Sequence, residues 1–307
     1  MVLSMIDASV RGCILGLALG DALGAPFEFR RAHEIPDPIP AFELPWMDRP
    51  PGSTTDDTAM ARNLARSLAE GGRFDPDDVV RRHLEWFRSD PPDVGSLTRK
   101  VLRQVGLGTR APEAARRVWE ERGPEVSAGN GSVMYCAPLG VAYANRPDRL
   151  AEIAPRLSAL THYDERCRTA VLAVTVAVAA LIRGEGPERA VRTALEAVVD
   201  RDGGEELEFL VEAVGATRPV DGPDQGFCLF TAAIGLQTLA REEALEPALR
   251  RVVSLGGDTD TNAAVAGALV GAAVGDSALP AGWLARLEDR DELEREASAL
   301  VPLSRRS

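Results

Sequence analysis

Apolar residues recur at helical spacing along most of the chain, and helix-starting and helix-ending residues separate the apolar segments. One segment opens with Asp75 as N-cap and Pro76 at the first helical position. Another runs from Pro187 to Gly203, and the segments LEFLVEAVGA and FCLFTAAIGLQTLA repeat the same spacing. Because no repeated alternating segments and no βαβ rhythm occur, the sequence predicts an all-α fold.

The longest apolar stretch, Thr169–Ile182, is rich in valine and could form a strand by propensity alone. Its length and the following Gly184 favour instead a helix that is buried on all sides. The stretch is shorter than the ~20 residues that a membrane-spanning helix needs. Since no segment looks like a linker between domains, we expect one domain over residues 1–307 and no contact with a membrane.

The segment His33–Gly52 interrupts the helical pattern. It contains six prolines, which exclude a helix and predict an extended loop over the surface. The loop lies in sequence between two motifs that carry candidate functional residues. Two interpretations therefore stay open, a rim of the functional site and a plain connector.

Composition excludes several classes of protein. Lys and Arg number 35 against 47 Asp and Glu, so the net charge is −12, which disfavours binding to nucleic acid or to anionic membranes. The four cysteines are scattered without metal-ligand spacing, so a structural zinc site is not expected. The first residues lack the features of a signal peptide. We expect a cytoplasmic monomer with reduced thiols.

The first motif is a row of glycines at every fourth position, Gly12, Gly16, Gly20 and Gly24. On a helix this spacing gives a smooth face against which another backbone can pack closely. Asp21 and Glu28 are acidic residues within the same apolar stretch. A carboxylate among phenylalanines is costly unless it is paired or functional, although Glu28 could also point outward from a loop.

Two further motifs place acidic residues at the start of predicted helices. In the first, Thr54 or Thr55 can cap a helix whose opening turn contains Asp56 and Asp57. In the second, the sequence GGDTDT precedes an entirely apolar helix. Helix capping alone explains the first pair of acids. It hardly explains both acids of the second motif, because no Lys or Arg occurs between Arg251 and Arg286.

Together these two motifs offer hydroxyl and carboxylate oxygens at two helix starts. Oxygen ligands in a chain with few histidines suit Mg²⁺, Mn²⁺ or Ca²⁺. Four carboxylates could hold two divalent ions, with water or substrate hydroxyls in the open coordination positions. The sequence therefore predicts a binuclear metal site.

A fourth motif, SAGNGSVMYC, combines glycines that permit positive φ with a helix predicted to start near Ser132. Such a turn can bind a phosphate, although a turn that merely caps a helix fits equally well. The fifth motif, LTHYDERC, contains His162. This histidine could either pack in the core or form hydrogen bonds at a pocket.

In their order and content, these motifs resemble the ADP-ribosylglycohydrolase family, from Gly12 to about Gly275. The TDDT and GGDTDT elements are the most specific of them. The resemblance implies an all-α orthogonal helical bundle with a central binuclear Mg²⁺ or Mn²⁺ site. It also implies a hydrolase that cleaves the N- or O-glycosidic bond between ADP-ribose and an acceptor, which can be a protein or a small molecule.

The resemblance also assigns roles to individual residues. The implied metal ligands are Thr55, Asp56, Asp57, Asp258, Asp260 and Thr261. The implied catalytic residues are Glu28, Asp57 and Asp93, the last from the segment PPDVG. The implied substrate-binding residues are Asp21, Gly129, Asn130, Gly131, Ser132, Met134, Tyr135 and His162. Tyr135 stands where many relatives have arginine, which removes a cation and leaves the acceptor open.

Two other functions stay open on the sequence alone. A metal-dependent phosphohydrolase acting on a nucleotide would normally use histidine ligands, and this chain has no His-Asp dipeptide. A non-catalytic ADP-ribose-binding or crystallin-like protein should have lost ligands. Here all six ligand positions and Glu28 are present.

Overall fold

The computed structural model describes residues 2–199, 204–215 and 218–306, and in these ranges the fold is all-α. The α-helices are α1 Val2–Gly24, α2 Asp56–Gly71, α3 Pro76–Arg88, α4 Ser96–Gly106, α5 Ala111–Arg122, α6 Ala137–Ala142, α7 Pro147–Ser158, α8 Glu165–Ile182, α9 Pro187–Val199, α10 Gly204–Ala213, α11 Cys228–Ala240, α12 Leu245–Ser254, α13 Thr259–Val274, α14 Ala281–Leu284 and α15 Arg290–Ser304. Short 3-10 helices lie at Ala25–Phe27, Ala32–Glu34, Pro124–Val126 and Asp276–Ala278. Within the described ranges, β-structure is limited to isolated bridges.

Local sequence signals fixed several helix starts as predicted. The Asp75 side chain accepts hydrogen bonds from the amides of Asp77 and Asp78 at the start of α3. The valine-rich stretch is helical, as predicted, and forms the buried helix α8. Gly184 follows it with a positive φ of 86°. The predicted end of α9 at Gly203 lies outside the described residues.

The helices α1 and α13 cross with their backbones in contact. A Cβ atom built on Gly16 would lie 2.2 Å from the carbonyl oxygen of Gly267, and one on Gly20 would lie 2.0 Å from that of Ala263. At the far end, the Thr259 hydroxyl donates to the Gly24 carbonyl oxygen at 2.8 Å. The contact therefore runs antiparallel and brings the end of α1 to the start of α13.

Helix α13 occupies the centre of the protein. It also packs against α8, α11 and α12, and from Thr259 to Ala272 its residues are buried. The apolar core is continuous from α1 to α15, apart from a small cluster between α4 and α5. This continuity supports our proposal of one domain over residues 1–307.

One apolar helix is long enough to cross a membrane by length and composition alone. It is the segment Met5–Phe27, which comprises most of α1, and 89% of its most apolar window is buried inside the protein. Contact with α13 along its glycine face accounts for this apolar character. The segment is therefore the core helix of a globular fold.

The proline-rich segment is mostly irregular, as predicted. Residues around Pro38 line a surface groove together with Trp283 and Arg250. Only Trp46 and Arg49 of the segment reach a small cavity that is also lined by Asp56 and Asp93. The segment is thus chiefly a connector, and one short part of it lies behind the acidic residues.

The contact between α1 and α13 predicts that Gly16 tolerates no side chain. In Gly16→Ala the new methyl group would meet the backbone of α13, so we expect a loss of about 3 kcal/mol in the free energy of unfolding. Urea titration followed by circular dichroism measures this loss.

Gly71 at the end of α2 is the matched control, because a Cβ atom there has no neighbour within 4 Å. Gly71→Ala should leave stability unchanged or raise it by up to about 1 kcal/mol through helix propensity. Equal behaviour of the two variants would contradict the close contact.

Candidate active site

Three helix ends meet at one cleft of about 390 Å³. Glu28 follows the end of α1. Asp56 and Asp57 lie at the start of α2, and Asp258 and Asp260 lie at the start of α13. The cleft is lined by Glu28, Phe29, Asp56, Asp57, Asp93, Val94, Gly95, Ser96, Leu97, Thr98, Gly129, Asn130, Gly131, Met134, His162, Gly226, Asp258, Asp260 and Thr261. Most residues selected from the sequence therefore converge on one place.

Asp21 of α1 holds the start of α2. Its completely buried carboxylate accepts hydrogen bonds from the Thr55 amide at 3.0 Å and from the Thr58 amide at 3.1 Å. The Thr58 hydroxyl also donates to it. The side chain thus lies behind the cleft wall, in contrast to the substrate contact predicted for it, and it positions the loop that carries Thr55.

Thr55 and Asp57 connect α2 to α13. Thr55 is the N-cap of α2, as predicted, and its hydroxyl accepts from the Asp57 amide at 3.3 Å. Oδ2 of Asp57 accepts from the hydroxyls of Thr55 at 3.2 Å and of Thr261 at 3.3 Å. Oδ1 of Asp57 is buried and has no hydrogen-bond partner in the described residues. That oxygen is available to a cation.

The acids at the start of α13 do not cap the helix. Asp258 occupies the N-cap position but forms no capping hydrogen bond, and its Oδ2 accepts from the Asn130 side chain at 3.0 Å instead. Its buried Oδ1 has no partner among the described residues. Asp260 accepts from the adjacent Thr261 amide at 2.9 Å. Capping therefore does not explain either acid.

Glu28 belongs to the same acidic group as the residues of α13. Glu28, Asp258 and Asp260 each offer a carboxylate oxygen, and these oxygens lie within 4.8 Å of one another. The sequence interpretation had separated Glu28 from the metal ligands. Their proximity depends on the antiparallel register of α1 and α13, since Phe29 donates to the Gly257 carbonyl at 2.7 Å.

Asp56 and Asp93 form a second acidic pair in the lining of the cleft. Oδ2 of Asp56 accepts from the Gly95 amide at 3.2 Å, which brings the PPDVG segment against α2. Burial raises the pKa of Asp56 well above its ordinary value, and the neighbouring Asp93 raises it further. The PPDVG segment, which carries Asp93, is thus part of the same site.

The cleft concentrates negative charge that nothing in its lining neutralises. Burial raises the pKa of Glu28 to about 9, with Asp258 and Asp93 adding to the effect. Burial likewise raises the pKa of Asp57 and of Asp260 well above the usual range. The described lining contains no Lys or Arg. The group must therefore bind protons or cations, and oxygen-only ligands with unpartnered atoms fit divalent cations.

The Gly129–Ser132 turn differs from its prediction. Gly129, Asn130 and Gly131 all avoid positive φ, and the following helix α6 begins at Ala137 rather than near Ser132. Close packing accounts for the glycines instead. A Cβ atom on Gly131 would lie 2.9 Å from Cε1 of His162. The glycines thus allow the histidine ring to lie against the turn.

The remaining predicted substrate residues divide between the cleft and the core. Met134 and His162 line the cleft. The Ser132 hydroxyl points away and contacts the Ser158 hydroxyl at 2.9 Å. Tyr135 is completely buried behind the wall and packs edge-on against His83. Neither Ser132 nor Tyr135 offers its side chain to a ligand in the cleft.

Some residues of the site carried no recognisable sequence signal. Asn130 also contacts the Thr231 hydroxyl at 3.0 Å, which in turn donates to the Asn262 side chain at 2.8 Å. This chain of polar groups orients the side-chain amide of Asn130, which donates to Asp258. Thr98 of α4 also lines the cleft. Only the three-dimensional fold brings these single polar residues to the site.

Comparison with known proteins agrees with this site. The profile of the ADP-ribosylglycohydrolase family matches residues 4–307, and the chain therefore belongs to the ADP-ribosylglycohydrolase family. Members of this family are metal-dependent enzymes that act on ADP-ribosylated substrates. The predicted resemblance, the enzyme class and the hydrolase function are thus confirmed, and the non-catalytic alternative is disfavoured.

Individual relatives cover almost the whole chain. ADP-ribosyl-[dinitrogen reductase] glycohydrolase of Rhodospirillum rubrum is 32% identical over 95% of both sequences. ADP-ribosylhydrolase ARH3 of Homo sapiens is 28% identical, over 94% of this chain and 92% of that protein. A solved structure described as an ADP-ribosylglycohydrolase-related protein complex superimposes with a TM-score of 0.82 at 35% identity, covering 98% of this chain and 99% of that one.

The unneutralised carboxylates predict that a divalent cation stabilises the folded protein. At 100 times the dissociation constant, Mg²⁺ or Mn²⁺ should add about 2.7 kcal/mol per site to the free energy of unfolding. Asp260→Asn removes one ligand charge, so it should reduce the metal-induced rise in Tm. It should also stabilise the metal-free protein by relieving repulsion. Scanning fluorimetry across a metal titration measures both effects.

Asp48→Asn is the control, because Asp48 is exposed in the proline-rich loop. It should show the full metal-induced rise in Tm. An equally full rise in Asp260→Asn would exclude Asp260 as a ligand.

Proposed function

We propose that the protein hydrolyses the N- or O-glycosidic bond between the anomeric ribose carbon of ADP-ribose and an acceptor, with two divalent cations, Mg²⁺ or Mn²⁺. One observation carries the proposal: the carboxylates of Glu28, Asp57, Asp258 and Asp260 converge at helix ends in a cleft whose described lining contains no Lys or Arg. Family membership supports the reaction class.

The residues that would hold the cations are the hydroxyl and carboxylate groups at the starts of α2 and α13. They are Thr55, Asp56, Asp57, Asp258, Asp260 and Thr261. Two of their carboxylates, Asp57 and Asp258, each have a buried oxygen without a partner in the described part of the chain. When bound, such cations supply Lewis-acid charge and orient the hydroxyls of a substrate ribose.

Glu28 is the proposed proton-transfer group. It lies beside the acids of α13 and is only partly buried, so it can contact a ligand in the cleft. A carboxylate there can accept a proton from water or donate one to the leaving acceptor as an oxocarbenium-like ribose develops. Asp57 and Asp93 are the other candidate carboxylates, but both already interact with neighbours in the wall. Asp57 accepts a hydrogen bond from the Thr261 hydroxyl, and the Asp93 side chain is hydrogen-bonded to Asp56.

The opposite end of the cleft suits the diphosphate of ADP-ribose. The amide of Gly131 donates to no acceptor in the described residues, and Gly131 lines the cleft. Beyond Gly129 and Gly226 the cleft continues into a depression lined by Arg166, Arg218 and Phe230. This extension supports a ligand longer than the cleft itself.

The phosphohydrolase alternative finds little support at this site. A binuclear phosphohydrolase normally uses histidine ligands, whereas His162 is the one histidine among the described lining residues. Burial lowers its pKa to about 4 and it lies apart from the acidic group that includes Asp258. Free phosphate released from a nucleotide would favour this alternative.

The acceptor and the setting are further proposals. The relative from Rhodospirillum rubrum is named for an ADP-ribosylated protein, dinitrogen reductase, and we propose a protein or small-molecule acceptor for this chain. Four buried, unpaired cysteines support a reducing, cytoplasmic setting. We also propose a monomer without membrane or nucleic-acid partners, except for nucleic acid that is itself ADP-ribosylated.

The proposed cations predict a strict metal requirement. Dialysis against EDTA should abolish release of ADP-ribose from a panel of ADP-ribosylated acceptors, and Mg²⁺ or Mn²⁺ should restore it. Mass spectrometry of the products measures both the activity and the preferred acceptor. Full activity of the metal-free protein would contradict the proposal.

The role of Glu28 predicts a loss of turnover with retained binding. Glu28→Gln keeps the size of the side chain but removes its charge, so kcat should fall by about 100-fold or more. Calorimetry with ADP-ribose should show binding within a few-fold of wild type.

Glu43→Gln, at an exposed position of the proline-rich loop, serves as the control and should keep normal kcat. Unchanged turnover in Glu28→Gln would move the proton transfer to Asp57 or Asp93.

A further inference from the structure

Phe29 is a large apolar residue that the fold leaves exposed at the cleft. The residue is 58% exposed, yet it belongs to the lining of the cleft. Phe27, two positions earlier, is buried in the core, whereas Phe29 is part of neither apolar cluster among the described residues. An aromatic ring stabilises a fold through the apolar area that it buries, so the ring of Phe29 contributes little to stability.

The backbone of Phe29 is also strained. Its φ is 62°, in the left-handed region that bulky residues rarely adopt. Such a conformation lowers stability, and it persists only where the surrounding structure imposes it. Because strained residues cluster at sites that contact ligands, a phenylalanine at this position indicates a function for its ring.

Hydrogen bonds to the loop before α13 impose the conformation of Phe29. The Phe29 amide donates to the Gly257 carbonyl at 2.7 Å, and the Gly257 amide donates to the Arg30 carbonyl at 2.8 Å. Gly257 directly precedes Asp258, the N-cap residue of α13. The backbone of Phe29 is therefore fixed relative to the acids of α13, and its ring is held beside them.

The ring lies at the part of the cleft that contains Glu28. Phe29 follows Glu28 in sequence, and both residues line the cleft. The depression beyond Gly129 and Gly226 has a different described lining, which does not include Phe29. Under the proposed function, Glu28 acts where the acceptor leaves, whereas the depression receives the far end of ADP-ribose. The ring is thus placed on the acceptor side of the bond that is cleaved.

We propose that Phe29 is a specificity-determining residue of this hydrolase, which packs its exposed ring against the acceptor group of the substrate. The inference rests on the proposed function. An aromatic face favours an acceptor group that is itself flat or apolar, and contact with it covers apolar surface that the free protein leaves in water. The ADP-ribose part of the substrate does not use this contact.

Phe29→Asn tests the proposal, because asparagine adopts the left-handed conformation more readily than phenylalanine and lacks the ring. For the ADP-ribosylated acceptor that wild type hydrolyses best, KM should rise by about 10-fold, since the lost contact stabilises the bound substrate and the transition state equally. For the same reason kcat should change little. Calorimetry with free ADP-ribose should show the affinity of wild type. Phe29→Tyr keeps the ring and should keep the KM of wild type.

Met47→Asn is the matched control. Met47 also has a positive φ, of 50°, and is 57% exposed, but it is absent from the described lining of the cleft. Both asparagine variants should equal or exceed wild type in Tm, because each removes backbone strain. Only Phe29→Asn should change KM.

The kinetic constants and the affinity for ADP-ribose separate the possible roles of Phe29. Unchanged KM in Phe29→Asn would overturn the proposal. A fall in kcat at unchanged KM would also overturn it, because the residue would then only position Glu28. An equal loss of affinity for free ADP-ribose would move the contact from the acceptor to the ribose and contradict the proposed specificity. Failure of wild type to hydrolyse any acceptor would instead contradict the proposed function, and the role of Phe29 with it.

Discussion

The contact between the backbones of α1 and α13 is the constraint on which the active site depends. Four glycines of α1 lie against the backbone of α13, at Gly271, Gly267, Ala263 and Thr259 in turn. Because backbone meets backbone, the two helices have one register in which they fit. That register places Glu28, after the end of α1, against Asp258 and Asp260 at the start of α13. Packing in the core thus fixes the geometry of the acids at the surface of the cleft.

The same arrangement concentrates charge that the folded chain cannot satisfy alone. The starts of α2 and α13 present positive helix ends and free amides, which favour Asp57 and Asp260. Even so, burial and mutual repulsion raise the pKa of both residues well above its ordinary value. Helix dipoles are therefore too weak to offset burial in this cleft. A metal-free protein holds the acids at a cost in stability, and the proposed cations would offset that cost.

Sequence reasoning identified those features whose cause is local. A cap such as Asp75, the acids beside Thr55 and the glycine row of α1 act through near neighbours, so their patterns are readable. How deeply a side chain is buried depends on the whole fold rather than on its neighbours in sequence. Asp21 and Tyr135 both carry groups suited to substrate binding, yet tertiary packing places them behind the wall. The role of the glycines in the Gly129–Ser132 turn was also misassigned. Glycine is required both where φ is positive and where a neighbouring atom packs closely against the backbone, and the sequence does not distinguish the two causes.

The electrostatics of the cleft determine how an anionic ligand can enter a chain of net charge −12. A diphosphate would be repelled by Glu28, Asp93 and the acids of the two helix starts, and the described lining offers it no Lys or Arg. Under the proposed function its oxygens are bound by neutral donors, and the Gly131 amide has no acceptor in the described residues. Cations held by the acids reverse the sign of the field at the other end. Under the proposed function, metal binding by the acids and neutral hydrogen-bond donors at the Gly131 turn therefore act on the same anionic ligand.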